Sequence, residues 1–377
     1  MSRIEYFKNI LENFNFLIYF FFKRNKKKKF IGFADDYFEG NTKNIILALK
    51  KKNECFWISR YKDTIKEAKR KRINSFNYFT LVLKLIKVDC WVTSNSDRIP
   101  SLIKTKYIST DHGIPIKAFV GKKKNQHIHT LNKYLHLLPG LQTYEFYKNY
   151  YKIDKSKLFI TGYARNDELL KTTKLGKKIF LTKFKLNPNY KTLMYAPTWS
   201  HDFKNQNKKG LFPNEWKDDF VILKKFLNSL SKKNINIIIR LHKYHDLIWT
   251  EKHEAIIKSF PYTTKVSSSS HPNSSLFLKY TDILITDYSS IYNDFLIINR
   301  PIIFLNSKKN IFKKFIPKVF PGPSANNISQ LINLINLFIN NKNYYKNRRE
   351  KIKSYTHVNS KNKFTKNCVN TIEKLIK

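Results

Sequence analysis

Cysteine is scarce: Cys55, Cys90 and Cys368 are the only three in 377 residues, odd in number and far apart. That excludes a disulfide framework or a cysteine-based zinc spacing, and fits a reducing cytosol. Acidic side chains are also few. Against 72 Lys+Arg stand 27 Asp+Glu, a formal net charge of +45, which draws polyanions or an anionic membrane face. The lysines are spread from Lys8 to Lys377 among many asparagines and isoleucines, a usage that biased genome composition produces as readily as selection for binding. No apolar run reaches the about 20 residues that a spanning helix needs. A DNA- or RNA-binding motif is also lacking, so nucleic acid is not expected as a partner.

The stretch FNFLIYFFFKRNKKKK, residues 14–29, sets a short apolar run against a basic cluster. Charge follows the apolar run and no small-residue cleavage site comes behind it, which argues against a signal peptide. Two readings stay open for residues 1–29. One is a first helix packed on the domain, with a solvated basic end. The other is an anchor in the membrane interface, its aromatics among the headgroups and each lysine adding about 1 kcal/mol on anionic lipid.

From Phe30 short apolar runs alternate with helical stretches. FIGFA (30–34), ECFWIS (54–59), CWVTS (90–94), KYIST (106–110) and KLFIT (157–161) read as strands, with helices expected over 41–51, 76–87 and 141–150. A stretch rich in Lys, Thr, Asn and Pro at 171–191 precedes a second alternation. It has strands KTLMYA (191–196), INIIIR (235–240), DILIT (282–286) and PIIFL (301–305), and helices near 217–231 and from 290. No fixed-length repeat is visible, yet the second half repeats the logic of the first. Such alternation, with 42% hydrophobic residues to fill two cores, predicts an α/β chain of two Rossmann-like domains facing across a cleft. The expected ranges are 30–175 and 185–377, the latter ending in a basic helical tail.

Ligands of open parallel sheets sit beyond the carboxyl ends of the strands. After KYIST come Asp111, His112, Gly113, Ile114, Pro115 and Ile116; after KLFIT come Gly162, Tyr163, Ala164 and Arg165. In the second half Pro197 and Thr198 follow KTLMYA, Arg240, Leu241 and His242 close INIIIR, and Asp287, Ser289 and Ser290 follow DILIT. Singly each is ordinary: a turn histidine, a surface arginine, a serine capping the next helix. Together they supply the imidazoles, guanidiniums and hydroxyls that hold phosphate. HKYH (242–245) and HIH (127–129) bring histidines near one another, but neither has the cysteine or acidic cluster that completes a metal-ligand set.

The blocks DHGIPIK, TGYARNDEL, YAPTW, RLH and DILITDYSSIYNDFLIINRPIIF occur in an order that resembles the CDP-glycerol glycerophosphotransferase family, the teichoic acid primases and polymerases, over roughly residues 30 to 310. The resemblance implies a GT-B architecture and a CDP-glycerol or related CDP-polyol donor. It implies transfer of a polyol phosphate to a hydroxyl of a lipid-linked or glycan acceptor, teichoic-acid-like or capsular, with release of CMP. By the same resemblance His112 is the general base, with His242 also catalytic. Donor contacts fall on Gly113, Ile114, Pro115, Ile116, Arg165, Pro197, Thr198, Arg240, Leu241, Ser289, Ser290 and Asp294. The chain departs from the family pattern at Asp111, Ala164, Ser200 and Lys243, where tryptophan, proline, arginine and proline are common.

Phosphoryl transfer asks the protein for positioning and charge neutralisation more than covalent work. An imidazole near pKa 6.5 can take the acceptor's hydroxyl proton, while His242 and Arg240 neutralise the pyrophosphate and departing CMP. No cofactor is firmly implied, though a divalent cation shared with the pyrophosphate is compatible. A nucleotide-sugar glycosyltransferase of the same architecture is the alternative, and a basic nucleic-acid-binding protein a lesser one. The expected location is peripheral, on the cytoplasmic face of an anionic membrane.

Overall fold

The computed structural model describes residues 11, 14–23, 25, 27–77, 87–94, 105–111, 113, 131–198, 211–213, 216, 218–242, 248–287, 289–306, 320–359 and 363–377. They divide into two compact units, residues 1–112, 122–167 and 356–377 in the first, 113–121 and 168–355 in the second. The first holds strands β1 (Phe30–Ala34), β2 (Glu54–Ser59), β3 (Asn74–Asn77), β4 (Cys90–Thr93), β5 (Lys106–Ser109), β6 (Leu135–Leu138) and β7 (Leu158–Ile160). Their order is β3-β2-β1-β4-β5-β6-β7. The second holds β8 (Lys191–Ala196), β9 (Ile235–Leu241), β10 (Thr263–Ser267), β11 (Ile283–Thr286), β12 (Ile302–Leu305) and β13 (Ser324–Ala325), in the order β10-β9-β8-β11-β12-β13.

Every pairing in both sheets is parallel. Continuous apolar strands such as FIGFA, buried at all five positions, are what a sheet covered on both faces requires. In each unit the chain winds outward from its first strand, returns, and continues on the other side. The order therefore reverses between β1 and β4, and between β8 and β11, leaving a crevice at their carboxyl ends.

Most expected elements are present, and the exceptions have local causes. β3 occupies the start of the helix expected over 76–87, of which residues 78–86 lie outside the described residues. The stretch expected to separate the halves contains helix Lys174–Lys183, begun by Thr173, whose hydroxyl accepts from Gly176 N at 3.0 Å, and anchored by buried Phe180 and Leu181. The strands β6 and β10 were not expected. LHLL is only four residues and is interrupted by a histidine, and TTKVS is mostly polar; the buried His136 of the first has its Nε2 3.0 Å from Leu131 O.

The C-terminal segment was expected in the second domain but belongs to the first unit. The N–H groups of Phe364 and Thr365 donate to the Asp167 carboxylate at 3.0 and 2.8 Å, satisfying the orphan donors of helix Phe364–Leu375. Cys368, Ile372 and Ile376 then bury against Ile45 and Leu49 of helix Gly40–Leu49. Gly162, at φ +78, is where the chain makes room: a Cβ there would stand 2.1 Å from the Phe364 ring.

The N-terminal apolar run is divided between two environments. Phe16 and Tyr19 are buried in a cluster with Phe30, Phe56 and Trp91; the Phe16 ring meets Phe76 edge-on at 4.6 Å, and Tyr19 donates to Glu54 Oε1. Leu11, Phe14, Phe21 and Phe22 remain exposed, Phe22 at 84%. Among the described residues no helix is long and apolar enough to cross a membrane. Truncating Phe16 to alanine removes a full core side chain and should cost about 3–5 kcal/mol; Phe22→Ser should change stability by less than about 0.5 kcal/mol. Urea unfolding followed by the fluorescence of Trp57 and Trp91, both buried in the first unit, checks the contrast.

Candidate active site

The two central strand pairs, β1 with β4 and β8 with β11, are stitched by the same hydrogen bonds. At the amino end of the first, Phe30 N donates to Asp89 Oδ2 at 2.7 Å and Asp89 N to Phe30 O at 2.9 Å. At the equivalent place in the second unit, Thr192 N donates to Asp282 Oδ2 at 2.9 Å and Asp282 N to Thr192 O at 2.7 Å. At the carboxyl ends, Thr93 Oγ1 donates to Ala34 O and Thr286 Oγ1 to Ala196 O, each at 2.7 Å. Just beyond, the Ser94 N–H lies 3.1 Å from both Asp35 oxygens and Ser94 Oγ donates at 2.8 Å. The second unit exchanges the partners: Thr198 N–H, following β8, lies 3.1 and 3.0 Å from the oxygens of Asp287, following β11, and Thr198 Oγ1 donates to the same carboxylate.

The second crevice collects hydroxyls and amides. Asp287 Oδ1 also accepts from Ser289 N at 3.1 Å, so one carboxylate fixes both Thr198 and Ser289. Ser290 precedes helix Ile291–Leu296 without capping it through its side chain. Its hydroxyl stands 3.0 Å from where a Cβ on Gly113 would be, and Gly113, at φ +156, belongs to this unit. Asp294 is buried one turn into the helix. Pro197 is partly exposed and His242 is exposed at the end of β9.

Two predicted contacts have other surroundings. Leu241 is 1% exposed and packs in the core of the second unit, because as the last residue of β9 its side chain points into the layer of Ile237 and Ile239; no side-chain contact with a ligand follows. Arg240 is buried, donates from one terminal nitrogen to Pro272 O at 3.1 Å and lies 5.1 Å over the Phe277 ring. Part of its fork thus braces the loop after β10. His112, Ile114, Pro115 and Ile116 lie outside the described residues.

In the first unit Asp111 belongs to the turn after β5 and Arg165 to the turn after β7, on either side of β6. Asp111 is buried in the left-handed region at φ +52, with Tyr147 donating to its Oδ1 at 2.8 Å and Ser109 Oγ at 3.3 Å. Burial pushes its carboxyl up to about 6, opposed by those donors and by the Arg165 charge. Burial likewise raises Asp35 to about 6 against four polar contacts. Both folded values exceed the ordinary 3.8, so ionisation of these two costs stability above about pH 6, and that cost is lifted as pH falls toward 4. The Arg165 guanidinium lies 4.4 Å over the Tyr163 ring.

Among the described residues no group of three or more His, Cys, Asp or Glu gathers as metal ligands. The residues that pin the central strand pairs, Asp35 at a carboxyl end and Asp89 and Asp282 at the amino ends, carried no expected role. For Asp89 and Asp282 the signal is in the chain as DCWVTS (89–94) and DILITD (282–287), two strands with an acid before and a threonine at the end, too short to register as a repeat.

The family described as CDP-Glycerol:Poly(glycerophosphate) glycerophosphotransferase matches residues 13–374. A teichoic acid glycerol-phosphate transferase of Staphylococcus aureus is 26% identical over 279 residues, covering 67% of this chain and 68% of the relative. A teichoic acid poly(glycerol phosphate) polymerase of Bacillus spizizenii is 27% identical over 273 residues, 65% of each chain. In structure the chain is similar to the wall teichoic acid polymerase TagF, with a TM-score of 0.70 at 18% identity, covering 100% of this chain and 99% of that one. The matched family model spans nearly the whole sequence and both sheets, and the chain belongs to the CDP-glycerol:poly(glycerophosphate) glycerophosphotransferase family, a family of transferases.

Proposed function

We propose that the chain transfers glycerol phosphate from CDP-glycerol to a hydroxyl of a teichoic-acid-like, lipid-linked or glycan acceptor, releasing CMP. The observation that carries this is the Asp287 hub, which holds Thr198 and Ser289 at one crevice, inside the sequence blocks that resemble the family's donor site. The names of the relatives support the donor class.

In this mechanism His112 takes the proton of the acceptor hydroxyl as its oxygen attacks the phosphorus bearing glycerol. The bridging P–O bond breaks, its electron pair leaves with CMP, and the proton passes from His112 to solvent. The hydroxyls and amides of Ser289 and Ser290 bind donor phosphate oxygens, His242 offsets charge on the departing CMP, and Asp294 holds a donor hydroxyl. Arg165 supplies a guanidinium for the pyrophosphate, and Arg240 acts by bracing its loop. A divalent cation fits poorly among the described groups. The Asp287 carboxylate is already engaged by Thr198 and Ser289, so no step is routed through a metal.

His112→Ala should lower kcat by about a hundredfold or more and leave donor affinity within a few fold, because a general base acts on the acceptor proton in the transition state. Purified protein supplied with labelled CDP-glycerol or CDP-ribitol and a phosphoglycerol acceptor tests both the base and the reaction. Release of CMP is expected; a wild-type rate in folded His112→Ala removes the base, and dependence on a sugar nucleotide with release of a nucleoside diphosphate favours a glycosyltransferase.

The exposed side of the N-terminal segment suits a peripheral position on an anionic, cytoplasmic membrane face. Leu11, Phe14, Phe21 and Phe22 offer apolar surface beside the basic run ending at Lys29. Phe21→Ser with Phe22→Ser should release the protein from phosphatidylglycerol vesicles in flotation while melting temperature and turnover on a soluble acceptor stay unchanged. Undiminished flotation of the double variant would move the membrane contact elsewhere.

A further inference from the structure

Asn41, in the first turn of helix Gly40–Leu49, is 2% exposed. Its Nδ2 donates to Thr110 O at 2.9 Å and, longer, to Asp111 O at 3.3 Å. Its Oδ1 accepts the Arg165 N–H at 3.1 Å. Asn44, three residues on, donates from Nδ2 to Ala164 O at 3.0 Å. One primary amide therefore ties the turn after β5 to the turn after β7, past the intervening β6.

These two turns deliver the groups that the chemistry needs. Asp111, whose carbonyl Asn41 holds, is one peptide bond from His112; Arg165 is held by its own N–H. The left-handed backbone at Asp111 sets the direction in which the chain leaves β5; aspartate tolerates that conformation better than most residues, and hydrogen bonds hold it there. Asn41 holds it from the carbonyl side, Tyr147 and Ser109 from the carboxylate side.

We infer that Asn41 is a positioning residue for the transfer, fixing the separation between Thr110–Asp111 after β5 and Arg165 after β7; this rests on the transferase function proposed above. The task is specific to an amide. Two donors and an acceptor on one short planar group satisfy carbonyls on one turn and an N–H on the other, whereas an ionised carboxylate only accepts and a methyl does neither. Misplacement of a reacting group by about 1 Å costs about a hundredfold in rate, so release of either turn should appear in kcat at saturating donor.

Asn41→Ala and Asn41→Asp, each with its melting temperature, provide the test. Asn41→Ala should lower kcat about tenfold or more at every pH while the protein stays folded at the assay temperature. Asn41→Asp has nearly the shape of the native residue but, ionised, faces two carbonyl oxygens. Protonated, it can donate to Thr110 O and still accept from Arg165 N–H. Burial raises the pKa of such a carboxyl, so the ratio of its kcat to wild type should climb at least about fivefold between pH 8 and pH 5.5, with the Asn41→Ala ratio flat. If the alanine variant does not fold, the near-isosteric aspartate variant alone decides. Wild-type kcat in a folded Asn41→Ala protein, or a pH-independent Asn41→Asp ratio, overturns the inference. Failure of the wild-type protein to release CMP from CDP-glycerol would overturn the transferase function instead, and is seen before any variant is made.

Discussion

Two aspartates sit where a parallel sheet divides, and a carboxylate placed there must be given donors or lose its charge. Asp35 receives the amide and hydroxyl of Ser94; Asp287 receives those of Thr198 and the amide of Ser289. Each set of bonds decides where two strand-end loops can go, and the loops carry the candidate site residues. The compensation is incomplete at Asp35, where burial outweighs the donors and leaves the carboxyl near 6. Rigidity at the edge is obtained at the expense of some stability near neutral pH, the trade expected where a polar network specifies one geometry.

The exchange of partners between the two units bears on how they differ in use. In the first, the acid follows β1 and the hydroxyl follows β4. In the second, the hydroxyl follows β8 and the acid follows β11, directly before Ser289 and Ser290. Only the second arrangement sets the carboxylate next to a helix start rich in hydroxyls, where it orders the turn through the Ser289 N–H. A shared scaffold thus yields two edges of different chemistry.

Much of this was legible in the sequence, because strands buried on both faces announce themselves as unbroken apolar runs: FIGFA, ECFWIS and KTLMYA have the expected bounds. Two strands did not: LHLL is too short for its pattern to declare it, and TTKVS, a polar strand at the sheet edge, owes its place to its neighbour β9. Among site residues, serines and threonines at strand ends were readable from the doubly wound rule. The supports behind them were less so, because Asn41 and Asp35 act through backbone groups far along the chain, and nothing local distinguishes a buried amide from a solvated one. Leu241 misled for the opposite reason: next to Arg240 and His242 in the chain, it faces the other side of the strand.

The return of helix Phe364–Leu375 to the first unit has a consequence for the order of assembly. On a ribosome, residues 168–355 emerge as a continuous block and can close the second core as soon as they are out. The first sheet emerges earlier yet lacks the layer formed by Cys368, Ile372 and Ile376, so it must hold an uncovered apolar face through the synthesis of some two hundred further residues. The portion of the chain made first is the portion finished last, and a chaperone that shields exposed apolar surface would find its natural client in that waiting half.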